Sequence, residues 1–387
     1  MYLSAFRSLT AAVTLALGLV TFAPLLGQSY TQRVLYSFAG GSDGATPLAG
    51  LVRDSSGHLY GTTYGGGTYG SGIVFEISLG GVERVLYSFT GGADGGNPQA
   101  DLIRDTANNL FGTTAGGGAH NYGTVFEVSV GGVETVLYSF TGTGGDGAYP
   151  FAGLVQDAKG NLYSTTVGGG IHSAGTVFKV DKAGTETVLY SFTGGVDGLN
   201  PFAGLVLDAA GNLYGTTKYG GTSGAGTVFK VDTTGTETVL HNFLGGADGQ
   251  YPSAGLVLAA AGNLYSTTVG GGTSGDGTAY KVDPTGKHTV LHSFRGGADG
   301  AYPYAGLIQD ALGNLYGTTS YGGASDAGTV YKVDLKGKET ILYSFKGGAN
   351  GISPQADLVK DEAGDLYGTT KYGGAFGAGM VFELSLF

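Results

Sequence analysis

The sequence predicts an all-β protein, a seven-bladed β-propeller with four antiparallel strands per blade. Three observations predict it. The string VLYSF, or a close variant, begins at Val34, Val85, Val136, Val188, Val239, Val290 and Ile341, at spacings of 51, 51, 52, 51, 51 and 51 residues, so the chain is a tandem repeat. Each repeat holds four apolar runs rich in Val, Leu, Tyr, Phe and Thr, bounded by Gly, Asp or Asn, which is the pattern of short strands. No segment shows a helical period, and a β-solenoid, the other repeat architecture, has shorter repeats and parallel strands.

The elements follow in order from the repeat that begins at Phe151. FAGLVQD (Phe151 to Asp157) is strand A, NLYSTT (Asn161 to Thr166) strand B, TVFKV (Thr176 to Val180) strand C and TVLYSF (Thr187 to Phe192) strand D. Blades are wedges, so the axial strand carries small residues, which assigns the segments beginning at Ala49, Ala100, Ala152, Ala203, Ala254, Ala305 and Ala356 to the axis. Bulky strand D is expected at the wide periphery. The first VLYSF has no A, B or C strand before it, and the last unit has no D strand after it. Residues 33–38 are therefore expected to pair with 379–384, closing the ring without a free edge. The A–B and C–D connections read as tight hairpins on one face. The longer D–A and B–C loops emerge on the other, where recognition on a rigid scaffold is commonly placed.

Composition narrows the function classes. Lys and Arg number 19 against 30 Asp and Glu, for a net charge of −11 without a basic cluster, which argues against a nucleic-acid partner. Cysteine is absent, which excludes a disulfide framework and a lipid-modified cysteine. Residues 1–28 read as a signal peptide, with Arg7 ahead of an uncharged apolar stretch from Leu9 to Leu26, or as a retained signal anchor. Residues 29–387 are then one exported propeller domain, secreted or periplasmic, expected to be monomeric and to cross no membrane once the signal is removed.

The ordered segments LYSF, GG, DG, P, AGL, D, GNLYGTT, GG, GTVFKV, G and ET resemble the tandem GloVer repeat, named for Gloeobacter and Verrucomicrobia, over essentially residues 33–387. The resemblance implies an exported bacterial propeller, in many members with a separate anchoring signal. It implies no defined activity. This chain ends at Phe387 directly after a strand, so a sorting tail is not expected.

Candidate site residues fall into three groups. Asp43, Asp94, Asp146, Asp197, Asp248 and Asp299 recur before Gly in the D–A loops, with Asn350 in the seventh copy. They are the only candidates for a calcium ring, but one carboxylate per blade supplies too few oxygens, and Asp before Gly accepts local N–H bonds equally well, so no cofactor is expected. Asp101 and Asp357 replace the Gly of AGL and are expected near the central channel, two blades apart, either as an acid/base pair or as solvated carboxylates. Tyr64, Tyr69, Tyr122, Tyr219, Tyr321 and Tyr372 in the B–C loops, with Tyr149, Tyr251, Tyr302, Asn97 and Asn200 in the D–A loops, offer rigid amphipathic contacts suited to a glycan or a surface protein. Packing of these tyrosines between neighbouring loops is the competing reading. The histidines fall at different repeat positions, apart from His241 and His292, and are expected to be too scattered for a metal.

The leading functional expectation is a non-enzymatic binding module for a neutral glycan or a surface protein on the longer-loop face. A polysaccharide hydrolase or lyase using the channel carboxylates, and a purely structural scaffold, are the alternatives. Near-perfect repetition favours binding, since an active site usually breaks the symmetry.

Overall fold

The computed structural model describes residues 30–386. They form seven four-stranded antiparallel sheets, and in each the order is A, B, C, D from one edge to the other. Blade 1, for example, runs Val52–Arg53, Leu59–Thr63, Ile73–Ile77 and Glu83–Ser88. Blade 7 takes Val359–Lys360, Leu366–Thr370 and Met380–Leu386 from the end of the chain and its strand D, Tyr30–Ser37, from the beginning. Tyr30 pairs with Leu386 and Ser37 with Met380, so the expected closure is present, a few residues longer at its N-terminal end. The expected signal segment, residues 1–28, lies outside the described residues.

Strand A is shorter than the sequence suggests. Only two residues per blade join the ladder, such as Val155–Gln156 against Tyr163 and Leu162. The preceding Ala-Gly-Leu backbone finds its partner across the blade boundary instead. Thr113 Oγ1 donates to the Ala152 carbonyl at 3.0 Å, and Thr165, Thr267 and Thr369 reach Ala203, Ala305 and Ala49 at 3.1 Å. The inner wall is thus stitched by side-chain hydroxyls of the preceding blade, satisfying carbonyls that a sheet would otherwise pair.

The cores lie between blades. Leu102, Leu110, Phe126 and Val128 of blade 2 pack against Val74 and Phe89 of blade 1, and equivalent clusters fill the other boundaries. Strand D is outermost, but its phenylalanine faces the next blade, not the periphery. Phe89 is fully buried, edge-on to Phe126 at 5.0 Å between centroids. In every blade the C–D ladder skips one residue of strand D, Leu86 in blade 1, between Val85 and Tyr87. The carbonyl of this bulged leucine abuts the next C–D hairpin, where a Cβ on Gly132, at φ +79°, would lie 2.6 Å from the Leu86 oxygen. Only glycine fits there.

Two outcomes check this architecture. Deleting residues 29–40 should lower Tm by more than about 10 °C, because it removes an entire strand and one blade boundary; an unchanged melt would contradict the closure. Phe192→Ala should cost about 3–5 kcal/mol in denaturant unfolding, the range for a large buried aromatic.

Candidate functional site

The longer loops do share one face. Ala45 pairs with Gly65 and Gly96 with Gly116, joining each D–A loop to the B–C loop that follows it. The residue before the loop proline has left-handed φ at Asn97 (56°), Tyr149 (59°), Asn200 (53°), Tyr251 (61°) and Tyr302 (55°). Its N–H is held by the previous blade, as Tyr149 N–H is by the Tyr122 carbonyl at 2.8 Å, which fixes an otherwise unfavourable conformation.

This arrangement sorts the loop residues. The Asn97 and Asn200 amides are occupied, donating to the Tyr64 and Val167 carbonyls at 3.0 and 2.7 Å. Tyr122 meets Tyr149 edge-on at 5.5 Å, Tyr219 meets Tyr251 at 5.3 Å, and Tyr302 meets Tyr321 at 5.8 Å, each pair spanning two neighbouring loops. Tyr64, Tyr69 and Tyr372 make no such pair and stand exposed.

At the centre of the same face the chain forms an axial cavity of about 360 Å³. Its mouth is ringed by the residues that follow the loop prolines: Leu48, Gln99, Phe151, Phe202, Ser253, Tyr304 and Gln355. The next layer holds Asp101 and Asp357 among the glycines of the other blades. Sequence reasoning identified the two aspartates and missed the mouth, because its seven positions, though each lies between the loop proline and the strand-A alanine, carry different residue types.

The cavity has two unlike sides. Blades 3, 4 and 6 contribute aromatic rings, with Ser253 of blade 5 between Phe202 and Tyr304. Phe151 and Phe202 lie parallel at 5.4 Å, and Lys218 Nζ sits 4.8 Å above the Phe202 ring. The Tyr304 hydroxyl is pushed up by burial and by the nearby Tyr321, Tyr302 and Tyr219. Blades 2 and 7 contribute Gln99 with Asp101 and Gln355 with Asp357. Asp101 accepts the Gly50 N–H at 2.5 Å and Asp357 the Gly306 N–H at 2.5 Å, so each reaches back over the preceding blade. The two carboxyls line an open channel yet sit deep within the ring. Burial raises both, and the Asp101 charge raises Asp357 further, so the pair favours holding a proton. Two larger grooves, of about 540 and 660 Å³, lie between neighbouring hairpins of the opposite face and are lined by hairpin carboxylates and lysines, among them Asp105, Glu127, Asp157 and Lys182.

The D–A aspartates are turned into their own loops. Asp94 accepts from Thr90 N–H at 2.7 Å and Tyr87 Oη at 2.9 Å, and Asp197 from Thr193 N–H at 2.7 Å and Tyr190 Oη at 3.0 Å. Each also faces the first residue of strand D in the next blade. Burial, then the facing Asp43, Asp94, Asp146, Asp197 or Asp299, pushes Glu83, Glu134, Glu186, Glu237 and Glu339 up to about 7. At the boundary of blades 6 and 7 the same places hold amides, with Asn350 Nδ2 donating to Gln32 Oε1 at 3.1 Å. An amide pair reproduces the hydrogen-bonding capacity of an acid and a carboxylate sharing one proton.

One expectation is overturned here. The histidines do not all scatter: His241, Asp248 and His288 come together at the boundary of blades 4 and 5, and His292, Asp299 and Glu339 at the next. His241 and His288 lie 47 positions apart in the sequence but stack at 4.3 Å, because the start of each strand D lies against the end of the preceding one.

The glutamate ring gives a pH dependence. These groups bind protons more tightly folded, about 7, than at the ordinary glutamate value of 4.5, so their stabilisation is full below 4.5 and lost as pH rises through 7. His241, His288 and His292 are held below the ordinary imidazole value of 6.5 by burial, and the protons they still carry in the unfolded chain near pH 6.5 oppose the trend only in part against the five glutamates. Tm should fall between about pH 6.5 and pH 8. Replacing the five glutamates, Glu83, Glu134, Glu186, Glu237 and Glu339, by Gln should flatten the profile, and a Tm that rises over this interval would contradict the assignment.

Comparison with curated proteins returned no match. Among solved structures, a protein from Bacteroides uniformis assigned provisionally as a 6-phosphogluconolactonase aligns at TM-score 0.50 and 16% identity, covering 76% of this chain and 83% of its own. A puromycin hydrolase aligns at 0.51 and 17% over 89% of this chain, which spans 52% of that longer protein. A protein of unknown function from Dyadobacter fermentans aligns at 0.50 and 10%, covering 94% and 100%. At these identities the likeness is one of fold. The Gloeobacter/Verrucomicrobia repeat pattern matches residues 19–229 and 203–386, so the chain belongs to the Gloeobacter/Verrucomicrobia repeat family.

Proposed function

We propose that this protein is an exported, non-enzymatic binding module that holds a neutral glycan at the axial mouth of its longer-loop face. The observation that carries this reading is the two-sided cavity, with an aromatic arc of Phe151, Phe202 and Tyr304 opposite the Gln99, Asp101, Gln355 and Asp357 side. Aromatic faces suit the C–H faces of a sugar ring, and amides and carboxyls suit its hydroxyls. A net charge of −11 disfavours polyanionic ligands. The outward tyrosines Tyr64, Tyr69 and Tyr372 then form a rim that an extended chain or a surface protein would touch.

The carboxyl pair supports a second reading, hydrolysis of the bound polysaccharide with Asp101 and Asp357 as acid and base. The two readings separate experimentally. On a panel of immobilised glycans, residues 29–387 should bind saturably, Phe202→Ala and Tyr304→Ala should weaken binding at least about ten-fold, and Tyr69→Ala should leave it within about two-fold. No reducing ends should be released on prolonged incubation. Release abolished by Asp101→Asn would establish the hydrolase instead. Absence of binding across the panel would overturn the glycan assignment in favour of a protein partner or a scaffold.

A further inference from the structure

At four successive blade boundaries, from 7/1 to 3/4, the outer corner carries Tyr, Asp and Glu, as in Tyr190, Asp197 and Glu237. At the boundary of blades 4 and 5 the tyrosine is replaced by His241 and the glutamate by His288, with Asp248 between them. We propose that this corner is a binding site for a divalent transition-metal ion of the zinc class, ligated by His241 Nε2, the Asp248 carboxylate and His288 Nδ1.

The spacing fits. His241 Nε2 lies 3.2 Å from one Asp248 oxygen and His288 Nδ1 lies 3.1 Å from the other. A tetrahedral zinc ion with bonds of about 2.0–2.1 Å separates its ligand atoms by about 3.3 Å. All three donors lie within 4.8 Å of one another. Two imidazoles and one carboxylate form a donor set that favours zinc, nickel or copper over calcium, which takes oxygen ligands.

The support is rigid. Both histidines sit on strands, Glu237–Asn242 and His288–Ser293, and Asp248 is anchored by the Leu244 N–H at 2.8 Å. His288 is only 8% exposed and His241 15%, so little water competes for the donors. His288 faces the Asp248 carboxylate through Nδ1. The ring proton that now faces Asp248 from Nδ1 has to move to Nε2, which is buried without a partner, when a metal takes Nδ1. The rings stand face to face at an interplanar angle of 7°, with both nitrogens turned to one carboxylate. Binding replaces the two N–H donors by the ion and splays the rings so that their in-plane lone pairs meet on it. Water takes the fourth position. The corner at the next boundary, His292, Asp299 and Glu339, has one imidazole fewer and is not part of the proposal.

The repeat supplies its own controls. His241→Tyr with His288→Glu rebuilds the chemistry that the preceding boundary already tolerates, and Tyr190→His with Glu237→His transplants the site one boundary back. Chelator-treated protein, residues 29–387, is titrated with zinc chloride by calorimetry, and tetrahedral geometry is read from the visible spectrum after cobalt(II) substitution. Wild type should bind zinc at micromolar Kd or tighter. The restored variant should lose one equivalent and the cobalt band at unchanged fold, and the transplant should gain one. Zinc uptake weaker than about 1 mM in wild type, or a stoichiometry unaltered by restoration, would overturn the proposal.

Discussion

Packing between blades is the constraint on which everything else rests. A four-stranded sheet this short buries little by itself, and here each sheet hides its apolar side chains against the next. The strand-D phenylalanine is the key contact: Phe38, Phe89 and Phe140 are fully buried, each edge-on to the strand-C aromatic of the following blade. Because each boundary needs a blade on both sides, the array is satisfied only when closed. The chain closes by lending its first strand to its last sheet, which pairs the edge that strand C of blade 7 would otherwise leave open.

Closure has an electrostatic consequence. The same overlap that seats the phenylalanine sets the first residue of one strand D against the loop aspartate of the preceding blade. Carboxyl faces carboxyl at several boundaries, and burial raises the glutamate until the pair can share a proton. Where the chain ends meet, Gln32 and Asn350 fill these places with neutral amides. Where His241 and His288 fill them, the corner acquires nitrogen donors. One scaffold position thus carries three chemistries, and the fold tolerates all of them because the apolar boundary beneath is unchanged.

The proposed binding mouth lies where the repeat is least regular. The residues after the loop prolines line the axial mouth, belong to none of the buried clusters between blades, and vary from Leu48 and Gln99 to Phe151 and Tyr304. The loop positions that looked most functional are partly committed to the scaffold: Asn97 and Asn200 cap neighbouring carbonyls, and several tyrosines pair across loops. A rigid ring with a variable axial mouth separates folding from recognition.

The sequence by itself determined the blade count, the strand order, the sharing of the seventh blade and the two loop faces. These follow from spacing, turn residues and the mismatch between the first and last units, all of which are local or periodic. It also located Asp101 and Asp357 near the axis, since a carboxylate in place of a repeated glycine stands out. Only the tertiary structure decided what lies across a boundary. Strand A is two residues long because Ala152 and its equivalents are bonded by threonines of another blade. His241 and His288 meet because two strands D overlap, a relation between different repeat positions that no period encodes. The aromatic arc, likewise, exists only because a ring brings Phe151, Phe202 and Tyr304 to one axis.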